Sequence, residues 1–275
     1  MLISPFTPLF FVDRKADGIE SDYIQTFADT DKILIEVLGD PGESFSAGVY
    51  REPDHSVLFP IRWQEWMVND VTRLRFAVLS LTPGLYSVVI GGRQSETFRV
   101  TDDSRELEKT TLIQYSMKNN RQRNDAVFFI DHMQYFFDFR VHGGFKDSNW
   151  SFGVDSEQFT TRTADISQLY GLESTQKRFT MGQNEGVPVW FGEMLNRILV
   201  CSHVYFDGVK YSRKESNVPE ITVQLEGVNS FVFNQAVQRS VNLDPVIEQT
   251  NQAIIRRTES YEYRSTSQTY NRLIN

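Results

Sequence analysis

The sequence predicts a mainly β protein, β-rich α+β in class, and three observations carry that prediction. Aromatic residues fill 13% of its 275 positions, with 21 Phe and 11 Tyr, and these side chains suit pleated, half-buried strands. Short apolar runs recur at roughly 8 to 12 residue spacing with turn signals between them, the pattern of a sandwich or barrel. Helical periodicity is convincing in one stretch only.

Residues 1–104 read as a small β-sandwich. Lys32–Leu38 puts Ile33, Ile35 and Val37 on one face before the turn Gly39-Asp-Pro-Gly42. Phe45–Tyr50 and Val57–Trp63 supply two further strands, and Pro60 assigns the second to a sheet edge because proline cannot donate to a ladder. Arg73–Leu79 alternates again, with Leu74, Phe76 and Val78 on one face. Pro83-Gly84 marks a turn, since Pro fixes φ at the first corner and Gly accepts positive φ at the second. A strand follows with Tyr86, Val88 and Ile90 on one face, then the turn at Gly91-Gly92, then Glu96–Val100. Thr101–Lys109 is charged and lacks β periodicity, so it reads as a linker or a single helical turn.

The second β-rich domain is expected over 105–244. Thr110–Tyr115 is a strand, and Ala126–Asp131 with Gln134–Val141 form a hairpin that Gly143-Gly144 brings to an end. The helix is expected near 187–200, where Val187, Trp190 or Phe191, Met194 or Leu195, and Ile198 recur every three to four residues. Pro188 suits its first turn, where the missing N–H costs nothing. Gly192 lowers helix propensity by about 1 kcal/mol relative to Ala, so this helix must lean on packing. Asp207-Gly208 between Cys201–Phe206 and Val209–Ser212 is a two-residue hairpin signal. Glu220–Leu225 and Ser230–Gln238 complete the domain.

From Pro245 to Asn275 the chain is polar, without Gly, and its apolar residues are scattered. Such a segment cannot offset its own ordering entropy. It reads either as an extended arm that orders against a neighbouring subunit or as a frayed tail. Ile254, Ile255, Tyr261, Tyr263 and Tyr270 are the candidate inter-subunit contacts.

Composition restricts the chemistry. The formal net charge of −8 argues against a protein that grips nucleic acid through phosphates. Cys201, the single cysteine, cannot form an internal disulfide, and its apolar setting favours a buried, inert thiol. No apolar run approaches the ~20 residues that span a bilayer. The N-terminus carries Pro5 and Pro8 and lacks a basic segment, so a cleaved leader is not expected.

Searches for convergent chemistry fail. There is no Gly-x-Ser-x-Gly elbow, and His55, His132, His142 and His203 lack metal-ligand spacing. Gly91-Gly92 and Gly143-Gly144 lack the residues of a phosphate cradle. Asp13, Asp17, Asp29 and Asp31 read as a solvated acidic stretch. No catalytic, cofactor-binding or metal residue is therefore assigned, no cofactor is expected, and the chain reads as a non-enzyme. Two features could still bind something: the basic cluster Lys118, Arg121 and Arg123, and the tryptophans Trp63, Trp66, Trp150 and Trp190, which could form a sugar-stacking platform. A distant pair of acidic residues of glycosidase type stays open, because such partners need not be close in sequence.

Leu112–Asp125, Gln134–Lys146, Phe152–Asp155, Glu157–Phe159, Phe179–Gly182, Gly186–Phe191, Leu195–Ile198 and Val204–Tyr211 together resemble tail-associated or head–tail structural proteins of phages and prophages of Bacteroidota hosts. The resemblance covers about residues 105–243, and residues 1–104 look like an immunoglobulin-like sandwich. It implies a homo-oligomeric component of the virion, made in the bacterial cytoplasm and built into a ring, tube, baseplate or connector. Its partners would be further copies of itself and other virion proteins, with the sandwich as an outward decoration or inter-subunit clamp. The alternative is a carbohydrate- or receptor-binding surface module whose partner is a glycan.

Overall fold

The computed structural model describes residues 1–11, 21–116, 136–162, 164–183, 185–214, 220–223, 230–239, 262–264 and 270–272. The protein is mainly β, with two helices among those residues.

Ten strands form the N-terminal part: β1 (Leu2–Ile3), β2 (Gln25–Ala28), β3 (Ile33–Gly39), β4 (Ala47–Arg51), β5 (Ser56–Pro60), β6 (Gln64–Asn69), β7 (Thr72–Leu79), β8 (Gly84–Ile90), β9 (Arg93–Gln94) and β10 (Phe98–Thr101). They divide into two sheets, one ordered β1-β3-β7-β6 and the other β2-β10-β8-β4-β5, with β9 paired to β8. Alternate residues of both sheets meet in one core: Ile33, Ile35 and Val37 from β3 pack with Val49, Tyr86, Val88, Phe98 and Val100. Pro60 ends β5, the outermost strand of its sheet, as its missing donor requires. Tyr86 is fully buried, and its hydroxyl donates to the Thr82 carbonyl at 2.9 Å, fastening the turn that leads into β8.

The other face of β3 and β7 is also buried. Leu34, Leu38, Leu74 and Phe76 point away from the sandwich core and join the core of the second half of the chain. The sheet β1-β3-β7-β6 therefore has an apolar surface on each side. That is why β3 reads as an almost continuous buried run instead of an alternation.

The expected linker takes up a single helical turn, α1 (Ser104–Leu107), capped by the Asp103 side chain on the Arg105 N–H. The second half contains β11 (Thr110–Ser116), β12 (Phe137–Thr160), β13 (Ile166–Met181), α2 (Val189–Ile198), β14 (His203–Phe206), β15 (Val209–Arg213), β16 (Glu220–Val223) and β17 (Phe231–Arg239). The ladder runs β13-β12-β11-β14-β15-β17-β16, and β13 pairs with β17 as well. Six strands thus close into an antiparallel ring, with β16 lying on the same edge of β17 as β15. Phe145, Phe179, Phe206 and Tyr211, from four of those strands, touch one another at 4.8–5.6 Å between ring centroids.

Helix α2 starts after Pro188, which stands just ahead of its first turn, so the helix is two residues shorter at each end than the apolar periodicity suggests. Phe191, Met194, Leu195 and Ile198 form its buried stripe. Phe191 meets Phe139 of β12 and Phe10 of the N-terminal segment. The reliance on packing is visible at Gly192: a Cβ there would run into the Phe233 ring. Asp207 and Gly208 both adopt positive φ, 47° and 80°, and join β14 to β15 in the two-residue hairpin expected of that pair.

Two expectations are corrected. Gly143-Gly144 does not end a strand, because β12 runs through it to Thr160. At Gly143 the Thr180 carbonyl of β13 comes so close that any Cβ would collide with it, so the glycine marks a close approach between strands. Asp31 is not part of a solvated acidic stretch: it is 4% exposed and holds a bidentate ion pair with Arg140. Asp13, Asp17 and the expected strand Ala126–Asp131 lie outside the described residues.

Candidate interaction surface

The feature that sets this molecule apart is the length of β12 and β13. The first part of β12 pairs with β11 over Phe137–His142, and the last part of β13 pairs with β17 over Gln176–Met181. Between them, Trp150–Thr160 and Ile166–Thr175 pair only with each other among the described residues. They make a two-stranded hairpin that leaves the closed ring. A lone hairpin is at best marginally stable in water and needs a third strand or a packed face.

Register defines its faces, because residues directly opposite across a ladder lie on the same side. One face carries Trp150, Phe152 and Val154 on β12, opposite Lys177, Thr175 and Glu173 on β13. The other carries Ser151 and Gly153 opposite Gln176 and Ser174. Alternation of this kind belongs to a strand with one covered side. Yet Trp150 is 44% exposed, Phe152 77% and Val154 66%. Toward the tip Phe159, Ile166, Leu169 and Tyr170 are exposed too. Contiguous exposed apolar surface of this sort marks interaction sites. Trp150 stacks beside Phe152 with centroids 6.0 Å apart, and the Lys177 ammonium sits 3.6 Å from the centre of the Trp150 ring.

Of these hairpin residues only Trp150 was among the candidates drawn from the sequence, as part of a sugar platform; Phe152 and Val154 were not, although Trp150-Ser-Phe-Gly-Val154 carried the two-residue alternation that finds them. Of the arm candidates, Tyr263 and Tyr270 lie in two short strands, β18 (Glu262–Arg264) and β19 (Tyr270–Arg272), which pair antiparallel with Tyr263 opposite Asn271 and Arg264 opposite Tyr270. These six residues form a small ladder. Ile254, Ile255 and Tyr261 lie outside the described residues, as do Lys118, Arg121, Arg123 and His132.

The tryptophans do not share a surface element. Trp63 is partly buried against Phe45 in the sandwich core, Trp190 is partly buried on α2, Trp66 is exposed on the outer strand β6, and Trp150 stands on the hairpin. Cys201 is buried behind α2, with its Sγ 3.8 Å from the Arg197 carbonyl.

A cavity of about 390 Å³ lies where the two halves and α1 meet, lined by Tyr23, Arg99, Glu106, Lys109, His142 and Glu185 among others. Its best-defined contact joins the Tyr23 hydroxyl to His142 Nδ1 at 2.9 Å. Burial pushes the Tyr23 phenol well above its ordinary range. Burial likewise lowers the His142 imidazole. Both groups are thus held neutral, which suits a fixed hydrogen bond more than proton transfer at neutral pH. Among the described residues no cluster of His, Cys, Asp and Glu is arranged to hold a metal ion, and no helix is long and apolar enough to cross a membrane.

Comparison with known proteins gives no match to a family model, to a curated protein or to a solved structure. The surface therefore has to be read from its own chemistry.

Proposed function

We propose that this chain is a non-enzymatic structural subunit of a phage tail or head–tail apparatus, assembling as a homo-oligomeric ring within the virion. The observation that carries the reading is the projecting hairpin, whose apolar face has the composition of a covered strand but is exposed in a single subunit. The resemblance of residues 105–243 to phage structural proteins supplies the biological setting. Other virion proteins are its further partners, and it needs no cofactor.

The N-terminal half fits a module of immunoglobulin type. Two features support that reading: the division into sheets β1-β3-β7-β6 and β2-β10-β8-β4-β5, and the Tyr86 hydroxyl donating to the Thr82 carbonyl in the manner of a tyrosine corner. It is fixed rigidly to the ring-forming half: Tyr115 donates its hydroxyl to the Phe6 carbonyl, and Arg197 donates to the Pro5 carbonyl at 2.9 Å. A sandwich mounted in this way suits an inter-subunit clamp better than a swinging decoration.

A glycan- or receptor-binding module is the second reading, favoured by the exposed Trp150–Phe152 pair. Against it, Lys177 already covers one of the two faces of the Trp150 ring on which a sugar could stack.

Light scattering on the purified chain tests the main reading. Particles of several times 31.9 kDa are expected, with a smaller species after deletion of residues 246–275. A strict monomer at high concentration, together with unaltered virion assembly after that deletion, overturns it. The neighbouring genes offer an independent check, since terminase, portal and tape-measure genes would lie nearby. Binding on a glycan array that is lost in Trp150→Ala would favour the second reading.

A further inference from the structure

We infer that the Trp150–Phe152–Val154 face of the hairpin docks against the same face of a second copy of this chain, across a two-fold axis passing beside Phe152. The inference rests on the self-assembly reading above and names the surface that performs it.

The face is three rows deep and two columns wide. Trp150 lies opposite Lys177, Phe152 opposite Thr175, and Val154 opposite Glu173. The middle row is neutral, and the outer rows carry opposite charges. Two such faces can be stacked with a two-fold axis in the interface plane, perpendicular to the strands and through the middle row. Each column then faces its own copy with the row order reversed. Phe152 meets Phe152, Trp150 meets Val154, and Lys177 of either copy meets Glu173 of the other. One operation buries the whole apolar column and forms two opposite-charge pairs at its flank, which is the self-complementarity that a two-fold interface demands. A two-fold axis along the strands would instead set the apolar column against the polar one, Trp150 against Lys177 and Val154 against Glu173.

Level with these three rows the hairpin's other face has no comparable need, because Ser151, Gly153, Ser174 and Gln176 are at home in water; its exposed aromatics, Phe159 and Tyr170, stand nearer the tip. Sheets that pack face to face stand about 10 Å apart, close enough for Phe152 and its symmetry mate to interdigitate. A ring that also makes this contact pairs with a second ring face to face, giving dihedral symmetry.

The full chain is purified and its size measured by light scattering over a range of concentrations and salt, alongside hairpin variants. Lys177→Glu and Glu173→Lys alone each place like charges in both flanking pairs, so each variant is expected to lose the two-fold contact. The double variant Lys177→Glu/Glu173→Lys restores it, and so does mixing the two single variants in equal amounts. Phe152→Cys is expected to be captured as a dimer by a short bis-maleimide, while buried Cys201 in the unaltered chain is not. Circular dichroism of every variant should match that of the unaltered chain, which separates loss of the contact from loss of the fold.

An assembly that withstands Phe152→Lys and both charge reversals overturns the hairpin contact and leaves the structural reading standing. Loss of assembly in the single variants without recovery in the double variant or the mixture overturns the two-fold register. A chain that is monomeric at every concentration overturns both readings together.

Discussion

Arg140 and Asp31, 109 positions apart in sequence, grip each other edge to edge across the junction of the two halves. Nε lies 2.6 Å from Oδ2 and the terminal guanidinium nitrogen Nη2 lies 2.8 Å from Oδ1. The same carboxylate accepts the Ala28 N–H at 2.8 Å, and Nη1 of Arg140 donates to Thr110 at 3.1 Å. Asp31 sits in the turn between β2 and β3, whereas Arg140 lies on β12. The pair therefore fixes the sandwich to the ring of strands, with all three guanidinium nitrogens and both carboxylate oxygens engaged.

Removing one partner leaves a buried charge uncompensated. Arg140→Ala is expected to cost about 3–5 kcal/mol of folding stability, read from denaturant unfolding. Arg140→Lys should recover only part of it, because an ammonium cannot reproduce the planar fork. Replacing both partners together, as in Asp31→Leu/Arg140→Met, should cost less than Arg140→Ala alone.

Gly192 gives a prediction with an inverted sign. In an exposed helix Gly→Ala gains about 1 kcal/mol of propensity. Here the new methyl would enter the Phe233 ring, and overpacking of a core typically costs about 1–3 kcal/mol. Gly192→Ala should therefore lower the midpoint of thermal unfolding, and adding Phe233→Leu should recover part of the loss.

Tyr86→Phe isolates the turn before β8. It keeps the buried ring and deletes only the hydroxyl that reaches the Thr82 carbonyl. The expected loss is about 0.5–1.5 kcal/mol, measurable as a shift in the urea midpoint at unchanged slope.

His142 predicts a pH dependence. Burial is the largest influence on it and depresses its folded pKa below the ordinary 6.5. A histidine held neutral in the fold binds fewer protons there than in the unfolded chain. Its contribution to stability is thus complete above about 6.5 and is lost as pH falls through the folded value. Unfolding free energy measured from pH 7.5 downward should fall in that window, and His142→Gln should flatten the slope there. NMR titration of the imidazole should show its midpoint below 6.5.

What could be read from the sequence was local. Asp207-Gly208 carries its turn geometry in two adjacent residues, and Pro60 excludes itself from an inner strand wherever it falls. The stripe on α2 needed only the spacing of Phe191, Met194, Leu195 and Ile198. Closure of the ring was invisible because it depends on β13 meeting β17, with Thr180 set against Asn234 by nothing in either neighbourhood. Gly143 was misread for the same reason: a glycine that ends a strand and one that admits a neighbouring carbonyl look alike until Thr180 is in place. The hairpin surface was half legible. Trp150, Phe152 and Val154 alternate plainly, but their exposure emerges only once the rest of the strands have found partners.

The double-sided sheet of β3 and β7 has a consequence for how the chain is made. The sandwich is complete once about residue 101 has been synthesised, yet Leu34, Leu38, Leu74 and Phe76 then have nothing to rest against. The core they join includes Phe191, Leu195 and Ile198, about a hundred residues downstream. At roughly 20 residues per second, the ribosome needs on the order of 5 s to deliver them. Through that interval the nascent sandwich is well ordered and sticky on one side, a natural client for a chaperone waiting at the exit tunnel. Fragments cut at the apparent linker should inherit that stickiness permanently and collect in the insoluble fraction.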